Sequence, residues 1–275
     1  MTVFKRLITG LSFASTLWPG LVLGAQPAPL TDARRLYNEG RYAEAIDLAE
    51  SAQAVAANAE VARLIAARAR LERFRHASAA EDLDVARSAL LAIDATRLSA
   101  RDRAEMLVGF GEALFLEGTF GAATEMFALG LDRADDLGPG TYDVLLDWWA
   151  SAMDRAAQAT PPEARAAAYQ RLEDTMRLAA ERDPASSIAA YWVAAAARAR
   201  GDAGRAWAAA LAAWIRAPLT REGGASLRPD LDRLVTEAIV PERARKEASP
   251  SEIDRASAEL LAEWERFKTR WSAAR

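Results

Sequence analysis

The segment AEMLVGFGEALFLEGTFGAATEMFALGLDRA, residues 104–134, shows the clearest structural pattern in the chain. In each half, apolar and small residues recur every three or four positions, the spacing that gives an α-helix a single apolar face. The polar tripeptide Glu117-Gly118-Thr119 separates the halves. The segment therefore predicts two amphipathic helices folded back on each other by a tight turn. Their apolar faces consist of Leu107, Phe110, Gly111 and Leu114 in the first half and Ala123, Phe127, Gly130 and Leu131 in the second.

Small residues within these two faces determine how closely the helices can pack. Gly111 and Ala123 lack large side chains, so the partner backbone can approach them, and Phe110 and Phe127 can fill the space beside them. This arrangement of large and small residues around a glycine turn resembles the tetratricopeptide repeat (TPR) family. The resemblance implies an all-α fold, a right-handed α-solenoid of helix-turn-helix repeats, and a function in binding a partner rather than in catalysis.

Two further copies of the pattern indicate a repeat architecture. One covers residues 33–52 with a turn at Gly40, and the other covers residues 188–214 with a turn at Gly201. Because Gly40, Gly118 and Gly201 are 78 and 83 residues apart, a less regular helix pair is expected within each interval. We therefore predict about five helix pairs. The helices of the two less regular pairs are expected at residues 61–74, 83–93, 142–157 and 164–180.

The first 25 residues have the composition of a secretory signal. Lys5 and Arg6 precede a largely apolar run over residues 7–22, and small residues lead up to Ala25, where a signal peptidase would cleave. An uncleaved membrane anchor is the alternative, although a proline and a glycine interrupt this short run, which disfavours a spanning helix. We expect cleavage near Ala25 and a periplasmic or secreted protein with no membrane span.

After residue 217 the pattern changes from helix pairs to a terminal helical region. Residues 229–239 predict a short helix, and the sequence SPSE at residues 249–252 is typical of a helix start. The apolar face of the last helix should cover the final pair, because the end of a repeat array otherwise exposes its core. This face consists of Ile253, Leu260, Trp264, Phe267 and Trp271. The predicted domains are a signal peptide at 1–25, TPR-like repeats at 26–217 and a C-terminal helical cap at 218–275.

The composition excludes several classes of function. The net charge is −4, with 35 basic and 39 acidic residues, which gives no support for a nucleic-acid surface. The chain has no cysteine, and His76 is its only histidine, so zinc sites and catalytic triads lack their usual residues. No phosphate-binding loop or zinc-protease motif occurs. We therefore expect no enzyme activity, no cofactor and no metal site, and instead a protein or peptide partner in the cell envelope.

Five arginines lie close together shortly before His76, which is itself expected to be an exposed polar residue. At 100° per residue the arginines spread around a helix instead of following one side. Two interpretations stay open at this point: a solvated helix surface, or a patch that binds an anion. The five residues are Arg63, Arg68, Arg70, Arg73 and Arg75.

Aromatic and apolar residues supply a candidate partner-binding surface. In the TPR family the first helices of successive pairs line a concave face, and the register of the small residues would place Val108, Phe115, Trp149 and Tyr191 there. Aromatic rings offer a large contact area at a small entropy cost, which suits a peptide or a sugar. The alternative for these residues is packing in the core.

Some TPR proteins hold the terminal carboxylate of a peptide with a set of lysine and asparagine residues. The central copy, residues 104–134, does not match that set. The alternative function is a glycan-binding module or an accessory subunit of a cell-wall enzyme.

Overall fold

The fold is all-helical, as the sequence predicts. The computed structural model describes residues 28–138, 140–220 and 224–272, and these residues form helices and connecting turns with no β-strand. The chain divides into two compact units, an N-terminal unit, Met1–Leu145, and a C-terminal unit, Leu146–Arg275. The predicted signal peptide lies outside the described residues, and the predicted domain boundaries stay predictions.

The N-terminal unit consists of helices that pack against their neighbours in sequence. Their bounds are α1 Ala28–Asn38, α2 Tyr42–Ala52, α3 Ala59–Ala77, α4 Ala80–Leu91, α5 Ala100–Leu116, α6 Phe120–Leu131 and α7 Ala134–Leu137, with a 3₁₀ turn at Ala95–Arg97. Helices α1 and α2, α3 and α4, and α5 and α6 form three pairs. The first helices of these pairs also contact one another, α1 with α3 and α3 with α5. The three pairs are therefore joined along their first helices.

The C-terminal unit continues the helical pattern. Its helices are α8 Thr141–Gln158, which begins in the N-terminal unit, α9 Pro162–Arg182, α10 Ser187–Ala199, α11 Ala203–Arg216, α12 Leu227–Leu234, α13 Val240–Glu247 and α14 Ile253–Ser272. Short 3₁₀ turns lie at Ala217–Leu219 and Pro250–Glu252. Helix α10 packs between α9 and α11. The helices predicted for the two less regular pairs are confirmed as α3, α4, α8 and α9.

Three of the turns within helix pairs have the same backbone structure. Gly40, Gly118 and Gly201 have φ values of 75°, 82° and 77°. In each turn the glycine N–H donates to the carbonyl three residues earlier, and the next N–H donates to the carbonyl five residues earlier, at 2.8 to 3.1 Å. These two bonds define a Schellman motif, which ends a helix and requires a left-handed residue. The turn glycines identified from the sequence are confirmed.

Small residues at matching positions let the two helices of a pair approach closely. A Cβ atom added at Gly111 would lie 2.6 Å from a ring carbon of Phe127, so only glycine leaves room for this buried ring. Five residues after each turn glycine stands an alanine with no exposed surface, at Ala45, Ala123 and Ala206. The close packing predicted from the small residues is confirmed.

The region after α11 contains more helix than the sequence pattern predicts. Helix α12 continues through a π-helical segment, Val235–Ile239, into α13, whereas the sequence predicts helix only over residues 229–239. Pro241 normally disfavours continuation, because proline lacks an N–H and its ring crowds the carbonyl four residues earlier. The wider π turn directly before Pro241 relieves this conflict, so the helix runs on to Glu247.

Helix α14 packs against α11 through the middle of its apolar face. Trp264 is fully buried, with its ring centre 5.3 Å from that of Trp214 and 6.0 Å from that of Trp207. Its indole N–H donates to Asp232 at 2.9 Å. Trp271, on the same face two turns later, is 50% exposed. The apolar face predicted for the last helix is therefore used at Trp264, while its role as a cap stays a prediction.

Candidate functional site

Charged side chains are buried where the first helices of the N-terminal unit meet. Arg34 of α1 donates to both carboxylate oxygens of Glu105 on α5, at 2.8 and 2.9 Å, and it also contacts Asp102. Ser99 caps the start of α5, because its hydroxyl accepts the Asp102 N–H at 3.1 Å and donates to the Asp102 carboxylate at 2.6 Å. Two carboxylates on one helix therefore hold Arg34 in place.

A second ion pair joins α3 to α5. The Arg68 guanidinium donates to Glu112 through Nη2 at 3.0 Å and through Nε at 3.4 Å, and both side chains are buried. The central carbon of Arg68 lies 5.2 Å from the centre of the Tyr37 ring on α1, a cation–π contact. Arg68 thus connects α3 to both neighbouring first helices.

These side chains surround a small pocket between α1, α3 and α5. The pocket has a volume of about 40 Å³, which is large enough to hold water. Arg101 is the most exposed residue of its wall, with 56% of its side chain exposed, and it contacts Glu105 through Nε at 3.1 Å. The charged part of the wall is therefore mainly cationic, and Ile65 and the Tyr37 ring supply apolar surface. Its wall consists of Arg34, Tyr37, Asn38, Ile65, Arg68, Arg101 and Glu105.

Burial and ion pairing determine the charges in this pocket. Burial opposes ionisation of Glu105, but the positive charges of Arg34, Arg68 and Arg101 outweigh it and lower the pKa of this carboxyl. Burial raises the pKa of the Tyr37 hydroxyl well above its usual range, so the phenol stays neutral and can donate a hydrogen bond. Burial alone would lower the pKa of Arg34, but its carboxylate partners raise it. At neutral pH the wall thus holds three guanidinium cations and one carboxylate.

The five clustered arginines of α3 are neither a fully solvated surface nor a free anion patch, because each is paired with a carboxylate. Asp82, the partner of Arg73, is itself buried. Arg68 is the member of this cluster that reaches the pocket. His76 is exposed as predicted, and its ring stacks on Tyr42. Besides Arg68 with Glu112, the pairs are Arg63 with Glu60, Arg70 with Glu50, Arg73 with Asp82, and Arg75 with Glu72.

The candidate surface of aromatic and apolar residues is mostly buried. Val108, Trp149 and Tyr191 retain 5%, 7% and 8% of their exposure. Phe115 is half-buried, and its ring centre lies 5.2 Å from that of Phe120. Burial favours the packing interpretation over an open binding face. A role of these four side chains in partner binding stays a prediction.

Buried polar groups of the C-terminal unit are joined in small, separate clusters. The Trp192 indole donates to Asp147 at 2.7 Å, and the Tyr169 hydroxyl donates to Asp154 at 2.7 Å. Burial raises the pKa of both Asp154 and Tyr169. Glu173 is fully buried and pairs with two arginines that flank the start of α11. Each of these groups has a structural partner, and none of them belongs to the wall of the pocket between α1, α3 and α5.

Most lining residues of the pocket, Arg34 and Arg101 among them, were not singled out by the sequence patterns. Arg34 and Arg101 belong to no local motif, and their partners lie on other helices or one turn away. One signal was available, since Arg34, Arg68 and Arg101 are spaced by 34 and 33 residues, close to one repeat length. That spacing becomes informative only with the helix contacts, which bring the three side chains around one pocket.

The chain matches no protein-family model, no curated protein and no solved structure. Over residues 28–138, 140–220 and 224–272, no helix combines the length and the apolar character needed to cross a bilayer. In the same ranges no group of three or more potential ligand residues is arranged to hold a metal ion.

Proposed function

We propose that this protein is an exported, TPR-like scaffold that binds a protein partner in the cell envelope, and that its helix pairs form a right-handed α-solenoid. The observation that carries the proposal is the repeated helix pair. The same Schellman turn and the same buried alanine recur in three pairs, and successive first helices contact one another in the N-terminal unit. Contacts between neighbouring pairs are how solenoid repeats bury their apolar faces.

The chemistry of the pocket supports binding rather than catalysis. A general base needs a lone pair directed at a substrate proton. Glu105, the one carboxylate in the wall, already accepts two hydrogen bonds from Arg34 and one from Arg101. A carboxylate engaged in this way is a weak base, while the arginines around it are suited to hold a partner group.

A crosslinking pull-down tests this function. The mature chain, with an affinity tag at its C-terminus, is incubated with envelope extract and crosslinked, and the bound proteins are separated by size. In parallel the same chain is mixed with purified wall polymer and sedimented. We expect one or a few discrete proteins in the pull-down and no sedimentation with the polymer.

An acidic, helical, exported protein of similar size serves as the control bait. Capture of the same proteins by the control would remove the support for specific binding. Sedimentation with wall polymer, together with an empty pull-down, would favour the glycan-binding alternative. The mass of the chain recovered from the envelope fraction tests signal cleavage, and an intact N-terminus would contradict cleavage near Ala25.

A further inference from the structure

We propose that the end of α14, residues 264–272, docks the protein onto a bilayer surface that contains anionic phospholipid. We refer to these residues as the α14 tip. The inference concerns lipid rather than a protein partner, so it goes beyond the proposed function. It follows from an exposed aromatic ring, from the distribution of charge along α14 and from the small size of the apolar area.

The apolar face of α14 continues beyond the part that packs against α11. Trp264 is fully buried, and the Phe267 ring is partly buried and stacks on it with ring centres 6.1 Å apart. Trp271 lies on the same side of the helix as Trp264, because seven residues make nearly two turns. It is 50% exposed, and its ring contacts that of Phe267 with centres 6.2 Å apart. The α14 tip therefore presents half of an indole ring to the surroundings.

Charge is distributed unevenly along this helix. Residues 253–263 include three carboxylates and one arginine, whereas residues 264–272 include three cations and one carboxylate. Of these cations, Lys268 pairs with Asp232 and Glu265. Arg266 and Arg270 are exposed, and neither forms an ion pair with a residue that the structure describes. In a chain with a net charge of −4, the α14 tip is therefore a local positive surface.

Tryptophan next to basic residues is typical of the boundary between membrane and water. There the indole ring lies at the level of the headgroups, and lysine and arginine attract anionic lipids. At 100° per residue, Lys268 and Arg270 lie on either side of Trp271. Entry of this ring into the boundary region would bring both cations to the headgroups. Anionic phospholipid is therefore complementary to the α14 tip in polarity and in charge.

The size of the apolar area favours a bilayer over a second protein surface. A specific protein interface buries about 800 Å² on each partner and has a packed apolar core. At the α14 tip the half-exposed Trp271 is accompanied by the exposed polar residues Thr269, Arg270 and Ser272. A bilayer surface requires no complementary shape, so one aromatic anchor with basic neighbours is enough for weak, reversible binding.

Sedimentation with sucrose-loaded vesicles tests this surface. The mature chain is mixed at low salt with vesicles of phosphatidylcholine alone, or of phosphatidylcholine and phosphatidylglycerol in equal parts. We expect sedimentation with the mixed vesicles only, and release at high salt, because salt screens the attraction between arginine and headgroup.

Substitutions at the α14 tip separate the contributions of the ring and of the charges. Trp271→Ala should weaken binding to the mixed vesicles about tenfold, and Trp271→Phe should retain most of the binding. Arg266→Gln together with Arg270→Gln should weaken binding at least tenfold, since each charge contributes a factor of about five.

Two substitutions elsewhere in the C-terminal unit are matched controls. Leu178→Ala removes an apolar side chain of α9 that is 66% exposed. Arg255→Gln removes a positive charge near the other end of α14, where the Arg255 side chain is 70% exposed. Both should leave binding to the mixed vesicles unchanged, and circular dichroism melts should show that all variants fold like the wild type.

Several results would overturn the inference. These are no sedimentation with the mixed vesicles, equal sedimentation with both kinds of vesicle, or equal weakening by the controls and by the substitutions at the α14 tip. Light scattering tests a second copy as the occupant instead. A dimer of the mature chain that dissociates in the Trp271→Ala variant would assign the α14 tip to contact between two copies and would also overturn the inference.

Discussion

Helices α5 and α10 begin two pairs that have the same turn, yet they bury opposite kinds of side chain. Helix α5 buries three carboxylates, Asp102, Glu105 and Glu112. Helix α10 buries Tyr191, Trp192 and five alanines, and no charged residue. The turn glycine and the small residues thus determine the helix pair, whereas the remaining surface of the first helix is free to carry either ion pairs or aromatic rings.

This difference has an energetic consequence. Burying apolar and aromatic surface stabilises a fold directly, whereas a buried ion pair roughly offsets its own desolvation cost. The C-terminal unit should therefore derive much of its stability from its tryptophans. The N-terminal unit holds charges that contribute little net stability, which is consistent with their use at a binding pocket.

Trp264→Ala should produce the largest loss of stability, and it tests whether buried tryptophans stabilise the C-terminal unit. Trp264 is fully buried against Trp207 and Trp214, so its truncation leaves a large cavity and removes its hydrogen bond to Asp232, which keeps its ion pair with Lys268. We expect a decrease of about 3–5 kcal/mol in the free energy of unfolding, measured by denaturant titration with circular dichroism.

Trp271→Ala on the same helix is the matched control. Its ring is half exposed and contacts Phe267, so the loss should stay below about 1 kcal/mol. Equal losses for the two variants would show that α14 does not depend on the packing of Trp264 against α11. An aggregating Trp264→Ala chain would agree with a capping role for this helix.

Substitutions in the ion pair between Arg68 and Glu112 test whether the buried charges of the N-terminal unit contribute little net stability. Glu112→Leu alone leaves Arg68 buried without its hydrogen-bonded carboxylate, and it should cost about 3 kcal/mol. The double variant Arg68→Met with Glu112→Leu removes both charges and should recover to within about 1 kcal/mol of the wild type. Denaturant titration of the two single variants and the double variant measures the coupling.

A double variant that is as unstable as Glu112→Leu would contradict this account. In that case the ion pair would be a real source of stability, and each unit would be stabilised internally by contacts of similar strength but different chemistry.

The fold was predictable from the sequence because its determinants are local. A turn glycine, an alanine five residues later and apolar residues at helical spacing all lie within one helix pair, so Gly118 and Ala123 could be identified without the structure. The continuation through Pro241 was missed, because the π turn that permits it has no local sequence signal.

The candidate site was not predictable in the same way. Arg34 meets Glu105 across 71 residues, and Arg68 meets Glu112 across 44. Such pairs depend on which first helices contact each other, and periodicity gives no information about that. From residue type alone, aromatic residues such as Trp149 and Tyr191 suit a binding groove as well as a core. Only their burial in the structure favours the core.

Ala123→Leu tests a feature that the two units share, the buried alanine five residues after the turn glycine. Ala123 has no exposed surface and packs in the α5–α6 pair, so a leucine should overpack it by about 1–3 kcal/mol. Ala122→Leu is the control, because Ala122 is exposed in the same turn of α6 and should change stability by less than about 0.5 kcal/mol. A tolerated leucine at Ala123, seen as an unchanged denaturation midpoint, would remove the small residue as a determinant of the pair.

Gly118→Ala should have the smallest effect on stability. A second glycine in the same helix pair, Gly121, provides a control for the direction of that effect. Gly118 has a φ of 82° and no atom within 4 Å of an added Cβ, so the cost comes from the backbone conformation alone. We expect a loss of about 1 kcal/mol. Gly121 lies inside α6, has equally open surroundings and does not have a positive φ, so Gly121→Ala should instead stabilise the chain by about 0.5–1 kcal/mol. Melting temperatures that shift in the same direction for both variants would contradict the Schellman turn as the shared determinant. Alanine is normally more stable than glycine, and only the need for a left-handed residue at Gly118 reverses that preference.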